Sequence, residues 1–265
     1  MNIITFSADI ADTLYYLNLQ DNVIAVSESV SKKSGFTHLP IVFSNGKINE
    51  TLFNSLKPDM VILSGHFETE VHQYLQNRSI SVLQLWPKSI MDVPKNMVHL
   101  GRLLGHEKTA VEKAGKWLEE FKKLQYQGAR TVNKLTAYIE EKGNPVTVGS
   151  RISGELLEYC GFEILLEDQV LNPDEKSRKI SDDILKSFHF DVAFWSWLGS
   201  DQKLHDEIEM RNKSLKIFKW NDENTYSIQH DLIFTIGPGL LDGLKELLRL
   251  RAVAEARGTV VNNFD

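Results

Sequence analysis

The chain has 265 residues, a formal net charge of -6, and 42% hydrophobic and 25% charged residues, an ordinary globular composition with material for one large or two modest domains. No basic stripe with interleaved aromatics is present, which sets nucleic acid aside as a partner, and no apolar run approaches the roughly 20 residues of a membrane span. The single cysteine, Cys160, excludes an internal disulfide and any zinc site built from paired cysteines.

After Met1 and Asn2 the chain enters "NIITF", which reads as a strand. A secretory leader needs a basic start, an apolar stretch and a cleavage site before the fold begins. As written, the chain therefore reads as cytoplasmic; with a trimmed leader it would be periplasmic or displayed at the cell surface. A helical pattern follows at Ile10, Leu14 and Leu17 with Tyr15 and Tyr16, then the strand "NVIAV" and a longer loop within 27–46. "DMVILS" and "SVLQLW" are further strands, apolar throughout as strands covered on both faces tend to be. "HEKTAVEKAGKWLEEFKKLQYQ" (106–127) places Val111, Ala114, Trp117, Leu118, Phe121 and Leu124 in one helical stripe, with Gly105 before it and Gly128 closing it. Beyond it, "VTVGS", "DVAFWSW" and "LKIFKW" read as strands. Helical patterns run through Ile152, Leu156, Leu157 and Tyr159, and through Leu240, Leu244, Leu247, Leu248 and Leu250. Alternation of this kind predicts an α/β fold with largely parallel sheets.

The chain also repeats itself. "INETLFNSLKPDMVILSG" (48–65) lies over "ISDDILKSFHFDVAFWSW" (180–197) without gaps: Ile48 meets Ile180, Asp59 meets Asp191 and Ser64 meets Ser196. Each copy is a helix, a short turn and a buried strand. Upstream, "ITFSADIADTL" (4–14) lies over "VTVGSRISGEL" (146–156) as strand, tight turn and helix. Two pairings in the same order predict two similar lobes, although any two βα units look partly alike.

The ordered set resembles the class III periplasmic solute-binding proteins, the cobalamin- and siderophore-binding group. The carrying stretches are "ITFSADIADTLYYLNLQDNVIAVSES", "LPIVFSNGKINETLFNSLKPDMVILSG", "LGRLLGHEKTAVEKAGKWLEEF", "GSRISGELLEYCGFEILLED" and "FTIGPGLLDGLKELLRL", which cover nearly the whole chain. Within the family, the cobalamin-binding branch is the nearest in pattern. The resemblance implies two Rossmann-like lobes joined by one long rigid helix, with a ligand held in a cleft between the lobes. The lobes would fall at 1–100 and 129–265, and the joining helix at 101–128. A stiff helix resists hinge motion, so binding would rely on a preformed cleft. The resemblance further implies a monomer with no intrinsic cofactor and no catalysis. Its ligand is a cobalamin-like corrinoid or another large metal chelate, such as a ferric siderophore or haem, and its partner is an ABC transporter permease. A carrier of corrinoids or tetrapyrroles with no transporter is the alternative. Exported members offer an acidic residue from each lobe to the transporter, which points to Glu68, Glu70 and Asp231. The family's Gly-Pro-Arg reads Gly237, Pro238, Gly239 here, so its arginine is absent.

In doubly wound sheets ligands bind beyond the carboxyl ends of the strands. The candidates at such ends are Ser7, Ala8 and Asp9, then His66 and Phe67, Trp86, Arg151, Trp195 and Trp197, and Phe234, with Phe36 in the long loop of the first half. Flat aromatic faces with few charges suit a broad apolar ring, and a few polar groups would orient it. For Trp195 a core role and a ligand role are equally open; Trp197, further along its strand, favours the ligand. Trp117 reads as helix packing and Trp220 as either. Arg151 offers a clamp for a phosphate, carboxylate or amide, with a surface salt bridge as the alternative. His66 is a candidate metal ligand, although a lone histidine is more often a hydrogen-bonding group. There is no HExxH, Walker loop or GxSxG. "GPGLLDG" (237–243) spaces its glycines wrongly for a nucleotide loop, and an enzyme of the nitrogenase-like group would need cluster-ligating cysteines.

Overall fold

The computed structural model describes residues 1–65, 69–131, 134–172, 174–197, 204–217 and 219–261. The chain divides into two units, one of residues 1–118 with 236–238 and the other of 119–235 with 239–265.

The first unit runs β1 (Ile3–Thr5), α1 (Ala8–Tyr16), β2 (Val23–Ser27), β3 (Ile41–Ser44), β4 (Lys47–Ile48), α2 (Glu50–Leu56), β5 (Met60–Ser64), α3 (Thr69–Gln76), β6 (Ser81–Leu85), α4 (Asp92–Leu103) and the start of α5 (Glu107–Ala129). Its sheet has the order β4-β3-β2-β1-β5-β6 and is parallel except for β4, which turns back on β3. Asn45 and Gly46, both at positive φ, make the two-residue turn between those strands. The strands at the middle of the sheet are covered on both faces, so Ile3, Ile4, Val61, Ile62 and Leu63 are all fully buried. One face carries Phe6, Phe53, Leu63, Val71 and Leu75 in a single apolar cluster. The predicted stripe of α5 is buried at Ala114, Trp117, Phe121 and Leu124, while Val111 comes out exposed. Trp117 packs as the sequence suggests, and its indole N–H donates to Pro238 O at 2.9 Å.

The second unit, after the end of α5, runs β7 (Leu135–Gly143), β8 (Val146–Val148), α6 (Arg151–Tyr159), β9 (Phe162–Ile164), α7 (Glu167–Val170), α8 (Asp182–Ser187), β10 (Val192–Trp195), α9 (Leu204–Leu215), β11 (Thr225–Ser227), α10 (His230–Phe234) and α11 (Leu240–Val261). Its sheet has the order β11-β10-β7-β8, and β9 pairs β7 as well. All pairings are parallel except β7 with β8. Gly161 ends α6 at φ +79°, where an added Cβ would lie 2.5 Å from Gly128 O. Glycine is needed there for both its conformation and its size.

The internal repeat extends to its hydrogen bonds. The Asn49 side chain accepts from Leu52 N at 3.2 Å to cap α2, and the Ser181 hydroxyl accepts from Ile184 N at 3.4 Å to cap α8. Asp59 accepts from Asn2 N at 2.6 Å, fastening the turn before β5 to the start of β1. Asp191 accepts from Thr136 N, also at 2.6 Å, and fastens β10 to β7 in the same way. These contacts make β7 the counterpart of β1.

That corrects two expectations from the sequence. "VTVGS" does hold a strand, but it is β8, the return arm of a hairpin rather than the opening strand of the second half. The true opening strand, "LTAYIEEKG", contains Glu140, Glu141 and Lys142 and so does not read as a core strand. "LKIFKW" is not a strand among its described residues: Leu215 ends α9, and the edge strand lies at Thr225–Ser227. Of the apolar residues that suggested it, Trp220 is buried from a loop, packed on Phe190 and Trp195.

Candidate functional site

In the first unit the carboxyl ends of β1 and β5 meet through Ser7 and Ser64. The Ser7 hydroxyl accepts from Ser64 N at 2.8 Å, which holds the turn into α1 against the end of β5. Asp9 stands in the first turn of α1, where burial raises its pKa and a hydrogen bond from Ser64 opposes that shift. Ala8, beside it, is half-buried. Gly65 follows β5 at φ +74°, and its carbonyl accepts from the Gln84 amide at 2.7 Å. Trp86, at the end of β6, is 47% exposed and presents its indole to solvent. Phe36 is 1% exposed and packs 6.3 Å from Tyr15 inside the unit. His66, Phe67 and Glu68 lie outside the described residues. Glu70 falls on α3, with its side chain also outside them.

In the second unit the two tryptophans of "FWSW" have different surroundings. Trp195 is 0% exposed, and Trp197 is half-buried; their rings stack with centroids 5.4 Å apart at 24°. The sequence gives no sign of what they pack against. Glu140 on β7 pairs with Trp195 in the sheet, is fully buried, and accepts two hydrogen bonds from Arg211 on α9 at 2.5 and 2.9 Å. The Tyr138 hydroxyl donates to the same carboxylate at 2.6 Å. The Arg211 guanidinium lies over Trp195 at 4.7 Å, Trp220 at 5.6 Å and Trp197 at 5.8 Å. Burial works against its charge, but the Glu140 hydrogen bonds prevail and leave its pKa above the ordinary value. Burial, then Glu140, pushes the Tyr138 phenol well up, so it stays a donor. Trp197 lies flat enough on Gly143 that an added Cβ there would be 2.8 Å from the ring. Glu140 and Arg211 are separated by 71 positions, so no local spacing marks them as partners.

On the next residue of β7, Glu141 is gripped by Arg178 at 2.6 Å. His230, at the start of α10, has Glu141 and Asp231 each at 3.9 Å and stacks on Phe234 at 4.7 Å. Asp231 and then Glu141 raise the His230 pKa to about 9. Arg151 is exposed at the first position of α6. No group of three or more His, Cys, Asp or Glu among the described residues could hold a metal ion. Cys160 is buried, which pushes its thiol pKa well up. No helix of the described residues is long and apolar enough to cross a membrane. What the strand ends present is aromatic surface with isolated, mostly paired charges, a composition suited to holding a broad ligand.

No family model matches the chain. A vitamin B12-binding protein of Pectobacterium carotovorum subsp. carotovorum (strain PC1) is 23% identical over 182 residues, covering 67% of this chain and 66% of that protein, just under two thirds of its length. Among solved structures, the periplasmic vitamin B12 binding protein BtuF of Vibrio cholerae aligns with a TM-score of 0.78 at 15% identity, over 96% of this chain and 97% of that one. The periplasmic heme-binding protein RhuT of Roseiflexus sp. RS-1 aligns with a TM-score of 0.76 at 14% identity, over 96% and 98%. A periplasmic heme binding protein of Pseudomonas aeruginosa gives 0.78 at 15%, over 93% and 91%. The chain shares the fold of these solved structures.

Proposed function

We propose that the protein is a solute-binding protein of the ABC-transporter type whose ligand is a cobalamin-like corrinoid. The observation that carries this reading is the match to vitamin B12-binding proteins, in fold over 96% of the chain and in sequence over 67% of it. The contact candidates are Ser7, Ala8, Asp9, His66, Phe67 and Trp86 from the first unit, and Arg151, Trp197 and Phe234 from the second. The burial of Phe36 and Trp195 gives them a supporting part: Trp195 backs Trp197 and sets its angle. The protein works by binding alone, as a monomer with no resident cofactor, and passes its ligand to a permease that reads Glu68, Glu70 and Asp231. Haem or a ferric siderophore is a second reading, favoured by heme-binding structures that align as well as the vitamin B12-binding one. A corrinoid or tetrapyrrole carrier with no permease partner is a third.

Titration with cyanocobalamin, cobinamide, haemin and ferrichrome, read by tryptophan fluorescence, separates these ligands. Saturable quenching by a corrinoid, weakened at least tenfold in Trp86→Ala and Trp197→Ala, is the expected result. A response to haemin or ferrichrome alone moves the assignment to the second reading. No response to any of the four overturns the chelate-binding function.

A further inference from the structure

A buried indole is ordinarily held by its N–H, and Trp117 is an example: that group donates to Pro238 O at 2.9 Å. The indole nitrogens of Trp195, Trp197 and Trp220 are also buried, yet none has a hydrogen-bond partner among the described residues. The rotation of these rings is therefore set by what lies against them. Trp195 stacks on Trp197 at 5.4 Å and tilts against Trp220 at 6.3 Å and 53°. Gly143 limits Trp197 from the β7–β8 hairpin, at a distance that leaves no room for a Cβ. The Arg211 guanidinium lies within 6 Å of all three ring centroids, at 4.7, 5.6 and 5.8 Å.

Arg211 is itself fastened. Its two terminal nitrogens donate to the two oxygens of Glu140 at 2.5 and 2.9 Å, and the Tyr138 hydroxyl holds that carboxylate from another side at 2.6 Å. A planar fork bonded at two points cannot spin about its own axis, so the guanidinium keeps one plane against the indoles. Balancing the charge of Glu140 would not by itself call for this arrangement, because an ammonium at the same place would do so. Holding three rings that have no hydrogen bonds of their own does call for a flat group. We infer that Arg211 is a positioning residue of the ligand site: fastened to Glu140, its guanidinium fixes the plane of Trp197 and thereby the affinity of that ring for ligand. The inference rests on the reading of Trp197 as a ligand contact; Arg211 acts through it.

Circular dichroism and ligand titration of the full chain test it together. Two indoles stacked this closely couple their electronic transitions into an exciton couplet in the far ultraviolet, and Trp197→Phe identifies the couplet by removing it. Arg211→Lys keeps a positive charge opposite Glu140 but gives up the fork and the flat face. It should lose at least half of the couplet and bind cyanocobalamin or haemin, whichever quenches the wild-type chain, at least fivefold more weakly. Arg211→Leu with Glu140→Phe, whose folding does not depend on the ion pair, should show the same two losses. Arg249→Lys, at an exposed arginine paired with Glu246 at 2.6 Å, should show neither. A couplet retained in both Arg211 variants overturns the inference, and so does a lost couplet with unchanged affinity. If the wild-type chain binds none of the four ligands, the chelate-binding function fails. The couplet alone then decides whether Arg211 fixes the ring: its loss in both variants upholds that role and its retention overturns it.

Discussion

The two units solve one packing problem with different chemistry. Under α2 and α3 the sheet of the first unit is apolar, and Phe6 and Leu63 lie in one cluster with Phe53, Val71 and Leu75. At the matching places under α8 and α9 the second unit has Glu140 and Trp195, with Arg211 descending from α9. A buried carboxylate is tolerated because every oxygen has a donor: two from Arg211 and one from Tyr138. The first unit goes from β1 into α1 within two residues, whereas the second inserts the β8 arm between β7 and α6. The lesson is that the repeat preserves the fastenings, the caps and the Asp59 and Asp191 bonds, while the face they frame is free to change from oil to ion pair.

The strongest way to break this comparison is to remove one side of the ion pair. Arg211→Leu leaves Glu140 buried without its cation and should cost about 3–5 kcal/mol in denaturant unfolding. Adding Glu140→Phe, which imitates Phe6, should recover most of that loss. If the double variant is no more stable than the single one, the two faces are not equivalent. Next in size, Trp195→Leu should cost about 2 kcal/mol or more because a 0% exposed ring leaves a void. Trp197→Leu, half-buried, should cost less than half as much in stability while having the larger effect on ligand quenching. Equal stability losses would contradict the division into a supporting and a presented ring.

Smaller effects sharpen the shared part. Asn49→Ala and Ser181→Ala should each destabilise by about 1 kcal/mol, and by similar amounts, as measured by hydrogen exchange in α2 and α8. A loss confined to one helix would show that the caps are not equivalent. The smallest effect is a pH dependence of the second unit between pH 6.5 and 9. His230 has a folded pKa of about 9, above its unfolded 6.5, so it binds its proton more tightly when folded. Its contribution is full below pH 6.5 and disappears as pH rises through 9. Because His230 is half exposed, the contribution should stay below about 1 kcal/mol. His230→Gln should flatten the decline of stability between pH 6.5 and 9; an unchanged slope would assign that decline to other groups.

The α/β class, the helices α1, α5, α6 and α11, and the pairing of 48–65 with 180–197 were all legible in the sequence, because each rests on local periodicity or direct residue matches. The opening strand of the second half was not. Its Glu140 reads as a surface residue until Arg211, 71 positions away, is folded over it. For the same reason the sequence put both rings of "FWSW" on one side of a strand and favoured Trp197 for the ligand as the outer one, but left core and ligand roles equally open for Trp195.

By itself the sequence determined the alternation of strands and helices, the repeat and the aromatic character of the strand ends, since these follow from side chains within a few residues of one another. Only the tertiary structure decided that Trp195 is core and Trp197 is partly presented. It also brought Glu140, Arg211 and three tryptophans into one stack, and set Arg78 against Glu50 across 28 positions. Such pairings depend on which distant segment packs across a sheet face, and desolvation there, not local propensity, sets whether a charge must find a partner.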